Sequence, residues 1–359
     1  MIAASEPVQR SPQGRLLVID GCGKMQHAPR AAFVDFLEAG DLVIANDAAT
    51  LPASLPGWHL ESGARIEVRL AGRRSLDLDD VTHFVAIIFG EGDFHTRTEE
   101  RPPPPQLAPG DRLLLGPLSA VIERSLDHPR LILLRFDATP AAIWEGLARY
   151  GRPIQYAHMP TPLALWNVWT PIAGPPVAFE PPSAGFILDW SSLAALRDRG
   201  IVFATLTHAA GISSTGDAEL DRRLPFDEPY RIPASTALAI RRAKLNGSRI
   251  VTIGTTVVRA LEHGAARDGS VRAGLGIATQ RIGHATRLRA VDAIISGTHE
   301  PGTSHYELLR AFADDHTLRK AGDELDAHGY RTHEFGDSIL LERRMDCAGR
   351  QRQTRLLAA

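Results

Sequence analysis

The segment IVTIGTTVVRALE (250–262) places hydroxyl and guanidinium groups where an apolar strand gives way to a helix. Gly254 ends the strand, and a glycine lets a ligand approach the backbone closely. The first helical turn offers free N–H groups, and Thr255 and Thr256 add hydroxyls that can donate to a carboxylate, a ribose or a base. Arg259 adds a fork of donors suited to a carboxylate. These four residues are candidate ligand contacts, and the alternative is an ordinary capped strand–helix unit.

Two histidines follow other predicted strands and are candidates for proton transfer. His208 ends the strand-like segment IVFATLTH and begins a loop of small and hydroxylated residues. His299 lies in the loop SGTHEPGTSHYELL (296–309), which runs into a helix. Such loops are where α/β proteins place binding groups, and histidine is the commonest general acid or base. The alternative for each is a histidine with structural contacts alone.

The sequence excludes several familiar sites. It contains no complete GxGxxG fingerprint, P-loop, GxSxG or HExxH pattern. His299 and His305 are six residues apart, which does not suit two metal ligands on one helical face. We therefore predict neither a metal nor a redox cofactor.

Composition and charge limit the class of protein. The chain has 359 residues, of which 44% are apolar, so it can bury a large core and two domains are expected. No apolar run is long enough to span a membrane, and the N-terminus lacks the apolar core of a signal peptide. We therefore expect a cytoplasmic protein without a membrane partner. The net charge of −2 argues against a surface wholly devoted to nucleic acid. Arginines nevertheless cluster at 281–289 and 343–355, either as a local basic face or as ordinary solvated surface.

The elements that must position these residues fall into two groups. From about 58 to 137 the apolar residues alternate with period two between Gly, Pro and Asp turns, which predicts five or six strands in a small barrel. Before and after this segment, strands alternate with helices, including a helix-like AAFVDFLEAG and a capped helix over 139–151. We predict an α/β domain formed by 1–57 and 138–359, interrupted by a β-barrel domain formed by 58–137.

Several segments, in this order, resemble the S-adenosylmethionine:tRNA ribosyltransferase-isomerase family of queuosine biosynthesis. IGTTVVRALE (253–262) is similar to the family's VGTTSVRTLE, and this is the most specific match. GDLVIANDAATLPASL (40–55) resembles GDLLVFNDTRVIPARL and keeps Asn46 and Asp47. PSAGF (182–186), with Ser183 and Gly185, is similar to PTAGL. THEP (298–301) and FGDSIL (335–340) resemble NFHLP and YGDAML.

The resemblance implies a fold and a reaction. Family members have an α/β domain interrupted by a small β-barrel, and they use S-adenosylmethionine as co-substrate. They transfer and isomerise its ribosyl group onto the aminomethyl group of a 7-deazaguanine in tRNA, which releases adenine and methionine. His299, His208 and Asp47 are then the candidate catalytic residues. The candidate cofactor-binding residues in the junction and the matching segments are Gly254, Thr255, Thr256, Arg259, Asn46, Ser183, Gly185 and Asp337. Glu228 is a further candidate, as a possible partner for the sulfonium, the amine or a ribose hydroxyl.

The sequence departs from the family at some polar positions. The histidine of AGLHF is replaced by Ile187, and the histidine of TLHVG falls on Thr207, one place before His208. One place in a strand is the opposite face, so His208 substitutes for that histidine only if the backbone shifts. The Asn and Phe of NFHLP become Gly297 and Thr298. Two alternatives therefore remain: a paralogue that uses S-adenosylmethionine with a small nucleoside acceptor or water, and a non-catalytic RNA-binding protein. The sequence does not indicate the oligomeric state.

Overall fold

The structure is a computed structural model that describes residues 1–344. The strands, in chain order, are β1 (Ile2–Ala3), β2 (Arg15–Ile19), β3 (Met25–Pro29), β4 (Leu42–Asn46), β5 (Ala49–Thr50), β6 (Ser54–His59), β7 (Ala64–Gly72), β8 (His83–Phe89), β9 (Arg112–Leu115), β10 (Leu118–His128), β11 (Leu131–Phe136), β12 (Pro176–Ala178), β13 (Val202–His208), β14 (Glu228–Ile232), β15 (Ile250–Ile253), β16 (Gly274–Ala278), β17 (Ala293–Gly297), β18 (Arg331–Thr332) and β19 (Ser338–Glu342).

The α-helices are α1 (Pro140–Tyr150), α2 (Leu165–Val168), α3 (Trp190–Asp198), α4 (Ala218–Asp221), α5 (Ala234–Leu245), α6 (Thr255–Gly264), α7 (Ser304–Leu309) and α8 (Asp315–Ala327). Three 3₁₀ helices cover Arg30–Phe36, Thr98–Glu100 and Ser183–Ile187. Helix α1 begins and ends where the sequence predicted, because Thr139 caps it, a proline occupies its first turn and Gly151 follows it. The helix-like AAFVDFLEAG instead forms a single 3₁₀ segment. None of the helices within 1–344 is long and apolar enough to cross a membrane.

A nine-stranded sheet organises the α/β part. Its order is β16-β14-β13-β4-β15-β17-β19-β2-β3. The four central strands β13, β4, β15 and β17 are parallel to one another. The chain leaves β4 for β13 on one side and later returns to β15 on the other, so the order reverses at β4. Ligands of open α/β sheets bind beyond the carboxyl ends of the strands at such a reversal.

The two faces of this sheet are covered by different helices. In β4, Leu42 and Ile44 pack with residues of α5, α6, α7 and α8, whereas Val43 and Ala45 pack with α3 and the first 3₁₀ helix. The alternation follows from the two-residue period of a strand. Both faces are therefore buried, and the carboxyl edge is where polar side chains of these strands can meet a ligand.

The inserted strands close into a barrel, as the period-two pattern predicted. Strands β6 to β11 form a closed barrel in the order β10-β11-β8-β7-β6-β9. Its interior packs with α1 and with residues near Phe179. The fold class, an α/β protein with an inserted all-β barrel, is therefore confirmed. Strand β6 begins at Ser54, inside the segment assigned to the α/β part, and the predicted division into domains at 57/58 and 137/138 stays a prediction.

Candidate functional site

The carboxyl ends of the four parallel strands bring most of the candidate residues to one edge of the sheet. Asn46 ends β4, His208 ends β13, Gly254 follows β15 and Gly297 ends β17. Asp47 comes directly after β4, and His299 is the second residue after β17. The sequence named these residues from separate segments, and the parallel register is what places the segments side by side.

The junction between β15 and α6 is shaped to accept a ligand at the helix N-terminus. Gly254 has φ of +98°, a conformation that L side chains rarely adopt, so the position requires glycine. No side chain within 1–344 caps the helix through a hydrogen bond, which leaves the amides of its first turn to a ligand. A Cβ on Gly254 would lie 3.5 Å from the Cβ of Ala184. The 3₁₀ helix that contains Ser183 and Gly185 therefore covers this junction.

Gly185 holds that 3₁₀ helix against a neighbouring segment. A Cβ at this position would approach Thr170 Cγ2 to 2.9 Å, closer than real Cβ contacts allow. Gly185 is therefore required for packing, and Ser183 is the half-buried polar residue on the same turn. The structure gives Gly185 a scaffolding role beside the junction.

His299 belongs to a chain of polar contacts that reaches the junction. Its Nε2 lies 3.0 Å from Ser296 Oγ, and its ring stacks on that of His305 with centroids 4.7 Å apart. His305 Nδ1 in turn lies 2.9 Å from Thr255 Oγ1. Burial, followed by the nearby His305 and His333, holds the pKa of His299 well below its usual value, and burial also lowers the pKa of His305. Both imidazoles are therefore neutral at pH 7, so each has a lone pair that can accept a proton, and the lowered pKa makes each a weaker base than an ordinary histidine.

A second group of titratable side chains lies close to these histidines. His158 Nε2 is 3.1 Å from a Glu334 carboxylate oxygen, and the His158 ring stacks on His333 at 4.2 Å. Burial opposes ionisation of Glu334, yet the hydrogen bond and charge of His158 hold the pKa of Glu334 below its usual value. The three donor atoms lie within 4.8 Å of one another, a spacing that a divalent ion can bridge. As they stand, His158 and Glu334 form a hydrogen bond, and His158 and His333 form a ring stack.

Glu180 extends this group toward the barrel. Tyr156 donates its hydroxyl hydrogen bond to Glu180, and the Ser213 N–H donates to the same oxygen at 3.0 Å. Burial raises the pKa of Glu180 to about 7, although the hydrogen bond from Tyr156 acts to lower it. A carboxyl group with this pKa can either donate or accept a proton near neutral pH.

Asn46 and Asp47 occupy the centre of the edge. Asn46 holds the end of β13, because its side-chain amide donates to His208 O at 2.9 Å and its Oδ1 accepts from His208 N at 3.0 Å. The same amide lies 3.3 Å from Thr256 Oγ1. Asp47 accepts hydrogen bonds from Thr205 at 2.8 Å and Thr207 at 2.7 Å. A carboxylate has about four lone-pair sites, so Asp47 keeps acceptor capacity for a ligand amine or hydroxyl.

The structure does not support His208 as the substitute for the family histidine. Its backbone is in register with β4 without a shift, so Thr207 points toward Asp47 and His208 points to the opposite face. His208 is fully buried, and neither ring nitrogen has a hydrogen-bond partner among the described residues. Burial, followed by the charge of Arg259, lowers the pKa of His208 to about 3. Its Nε2 lies 3.5 Å from Glu228, but a group so hard to protonate makes no ion pair at neutral pH.

Arg259 and Glu228 form a buried pair, and their contacts within the protein leave few polar atoms free for a ligand. Arg259 donates through Nη1 to Glu228, through Nε to Gln280 O at 3.0 Å, and through Nη2 to the carbonyls of Phe226 and Ala278 at 2.8 Å each. The other Glu228 oxygen accepts from the Gly211 N–H. Burial raises the pKa of Glu228, and the Arg259 guanidinium opposes that rise. All three guanidinium nitrogens of Arg259 therefore contact the protein, and its predicted contact with a ligand carboxylate stays a prediction.

Asp337 is likewise engaged by the backbone. One carboxylate oxygen accepts from Arg15 N at 2.7 Å and the other from Arg331 N at 2.8 Å. The side chain is 5% exposed. Asp337 fixes the start of β19 beside β2, and its predicted role as a ligand contact stays a prediction.

Arg289 and Arg343, one from each arginine cluster, lie away from the junction. Arg343 pairs with Asp292 at 2.8 Å, directly before β17 begins, and the Arg289 N–H donates to Glu262 at the far end of α6. Both therefore lie at the amino edge of the parallel strands, opposite to Gly254. The rest of the second cluster, 345–355, lies outside the described residues.

Comparison with known proteins identifies the family. Residues 1–341 match the family described as "Queuosine biosynthesis protein". The chain belongs to this family. An S-adenosylmethionine:tRNA ribosyltransferase-isomerase of Thiobacillus denitrificans is 31% identical over 92% of this chain and 90% of its own length. One of Sorangium cellulosum is 32% identical over 95% of both chains.

A solved structure supports the fold of this family member. The crystal structure of S-adenosylmethionine tRNA ribosyltransferase from Thermotoga maritima matches with a TM-score of 0.50 and 23% identity, over 94% of this chain and 96% of that one. At this identity the likeness shows the architecture alone. The sheet with an inserted barrel described above is therefore the architecture of a solved relative.

Sequence reasoning missed the second half of the site. It treated His305 only as a poor metal partner of His299, and it passed over Glu180, Glu334 and His158. The available signal was the segment HEFGD, in which a histidine and a glutamate precede the matching GD pair. No pattern in the sequence joins that segment to 156–158, because the two are brought together only by folding.

Proposed function

We propose that this protein is an S-adenosylmethionine:tRNA ribosyltransferase-isomerase. The observation that carries the proposal is the continuous path from the uncapped N-terminus of α6 through Thr255 and His305 to neutral His299, at the reversal point of the sheet. Family membership and the activity for which the similar proteins are named support it. The site thus combines an anion-binding helix end with a base, which the reaction requires.

Each part of the site has a role in this proposal. The positive charge of the sulfonium acidifies the adjacent ribosyl carbon, and neutral His299 accepts its proton. The first-turn amides of α6, with the hydroxyls of Thr255 and Thr256, hold the methionine carboxylate, which replaces the role first given to Arg259. Asp47, anchored by two threonine hydroxyls, accepts from the methionine amine or a ribose hydroxyl. Asn46, Arg259, Glu228 and Asp337 are positioning residues, since their contacts are with the protein.

The surface near the site supports RNA as the acceptor. Trp190 is 78% exposed and begins α3, just after the 3₁₀ helix that covers Gly254. Trp166 is 75% exposed in α2, and the segment that follows reaches Gly174, whose N–H donates to Asp47 O at 2.7 Å. Tryptophans this exposed are uncommon, and aromatic faces are what unpaired RNA bases stack on. We place the unpaired bases of the tRNA loop on this tryptophan rim.

Product analysis tests the proposal. The protein is incubated with S-adenosylmethionine, with and without substrate tRNA, and the small molecules and digested RNA are analysed by mass spectrometry. We expect adenine and methionine only when tRNA is present, together with a modified nucleoside in the RNA digest. Adenine release that does not depend on tRNA would favour the small-acceptor or hydrolytic alternative, and no release under any condition would favour a non-catalytic binder. His299→Ala serves as the inactive control.

A further inference from the structure

A pocket lies on the other side of His299, under helix α8. Its volume is about 480 Å³, within the range of small-molecule sites. Helix α8 forms one wall with Leu318 and Leu325, and strand β19 contributes Ile339. Thr298 and His299 form the end of the pocket that faces the candidate site.

The pocket and the α6 junction share His299. The His299 ring stacks on His305, which contacts Thr255 at the start of α6, and the same residue lines the pocket. A ligand bound on both sides would therefore pass directly over this imidazole. His299, as the proton acceptor, would then lie between the pocket and the α6 junction. This arrangement suits an elongated substrate whose reactive carbon lies in its middle.

The apolar part of the pocket can accept a purine base. Charged residues of α8 also line the pocket, namely Arg319, Lys320, Asp323 and Asp326. Leucine and isoleucine side chains offer flat apolar surface to the faces of a base, and Tyr306 adds an aromatic ring. His316 supplies ring nitrogens that can reach the base edge or ribose hydroxyls, whereas the Thr298 hydroxyl donates to Arg331 O at 2.7 Å. Burial raises the pKa of Tyr306, so its hydroxyl stays protonated and remains a donor.

Helix α8 contains a glycine, Gly322, beside this pocket. Gly322 lies in the interior of the helix, where glycine is less stable than alanine by about 1 kcal/mol. A Cβ built on it meets no heavy atom within 4 Å, so close packing does not require the glycine. Its φ is not in the left-handed region, so backbone conformation does not require it either. The open space beside Gly322 is part of the pocket.

We propose that this pocket binds the adenosyl group of the co-substrate, with the purine under α8 and the ribose beside His299. The inference rests on the proposed function and makes it more specific. The methionine arm then reaches the N-terminus of α6, and the acceptor approaches from the side of His158 and Glu334. The purine occupies the open space beside Gly322, which is large enough that a methyl group at this position would not fill it.

Filling the pocket with a larger side chain tests this arrangement. Gly322→Phe projects a large side chain into the open space, and Gly322→Ala is the matched control. Binding of S-adenosylmethionine and of 5′-methylthioadenosine, which lacks the amino acid arm, is measured by calorimetric titration. We expect more than a tenfold loss of affinity for both ligands in Gly322→Phe. Gly322→Ala should bind both within about twofold of wild type and unfold at a slightly higher temperature.

The outcomes separate this inference from the proposed function. Thermal unfolding is first measured to check that Gly322→Phe is folded. Wild-type affinity of the folded variant for 5′-methylthioadenosine overturns the pocket assignment, even if the enzyme is active. A folded variant that loses both ligands while Gly322→Ala keeps them supports it. Should wild type release adenine but not bind 5′-methylthioadenosine, the pocket assignment fails and the proposed function stands. Tyr306→Ala provides a second variant, expected to weaken both ligands without filling the pocket.

Discussion

The imidazole rings of His299 and His305 stack with their centroids 4.7 Å apart and their planes inclined by 14°. Two imidazolium ions at this distance would repel each other, so protonation of one ring disfavours protonation of the other. The pair therefore stays neutral to lower pH than an isolated histidine. Thr255, hydrogen-bonded to His305, ties this property to the ligand-binding end of α6.

The pH dependence of turnover should reveal the stacked pair. The lowered pKa of His299 means that the active, neutral base persists as pH falls below 6.5, and activity is lost only as pH falls through the lowered value. His305→Ala removes some burial and a ring that becomes a cation in acid, both of which lower the pKa of His299, so the acid limb should move to higher pH. The measurement is kcat against pH. His95→Ala, an exposed barrel histidine, is the control, and an unmoved acid limb in His305→Ala would contradict the coupling.

Replacement of His208 should affect acid stability and leave catalysis largely intact. The folded-state pKa of about 3 lies below the unfolded value, so wild type loses stability as pH falls from about 6.5 toward 3. His208→Phe keeps the stack on Tyr230 and removes two unsatisfied ring nitrogens, so this loss should disappear. Urea unfolding at pH 7 and pH 4.5 measures it. A fall in turnover beyond a hundredfold at pH 7 would return His208 to the catalytic residues.

Arg259→Ala should destabilise the protein. Removing the guanidinium leaves Glu228 buried beside Gly211 without its cation, which typically costs about 3–5 kcal/mol. Arg259→Lys keeps the charge but lacks the planar fork, so an intermediate loss is expected. Thermal unfolding checks both. An Arg259→Ala variant with wild-type stability and specifically lost S-adenosylmethionine affinity would restore the role of direct carboxylate ligand.

Thr255→Val should separate binding from stability. Valine has nearly the same shape but cannot contact His305 Nδ1 or a ligand carboxylate through a hydroxyl. Loss of about one hydrogen bond to a charged group predicts roughly a tenfold weaker affinity for S-adenosylmethionine. Calorimetric titration gives the affinity, and thermal unfolding should show a near-native midpoint. Unchanged affinity would mean that the junction is scaffold.

Affinity for tRNA should depend strongly on the tryptophan rim, formed by Trp166 and Trp190. It should depend little on Arg343, at the amino edge of the parallel strands. Trp166→Ala and Trp190→Ala should each cost about 1–3 kcal/mol if each stacks on one base. Trp58→Ala, a 42% exposed tryptophan on the barrel, is the matched control. Arg343→Ala should have a small effect, because Arg343 is paired with Asp292 on the opposite edge. Filter binding from low to moderate salt measures these affinities, and a dominant Arg343 effect would place the RNA elsewhere.

The sequence by itself determined the local structure and the class of site. Period-two alternation predicted the barrel strands because one face of each is buried in the barrel, and Thr139 with Pro140 and Gly151 predicted α1 because caps act within one turn. Gly254, Thr255 and Thr256 were placed at a strand–helix junction for the same local reason. His299 was recognised from its loop. These inferences depend on neighbours in the chain, which a sequence displays directly.

Only the tertiary structure decided which side chains are free to bind. Arg259 has the right chemistry for a carboxylate, but folding places Glu228 and three carbonyls around it, and these partners come from distant segments. His208 and Thr207 differ by one position, and the register of β13 against β4 decides which of them points toward Asp47. The pairing of His158 with Glu334 joins residues far apart in the chain. Such contacts follow from long-range packing and strand order, which no local spacing encodes.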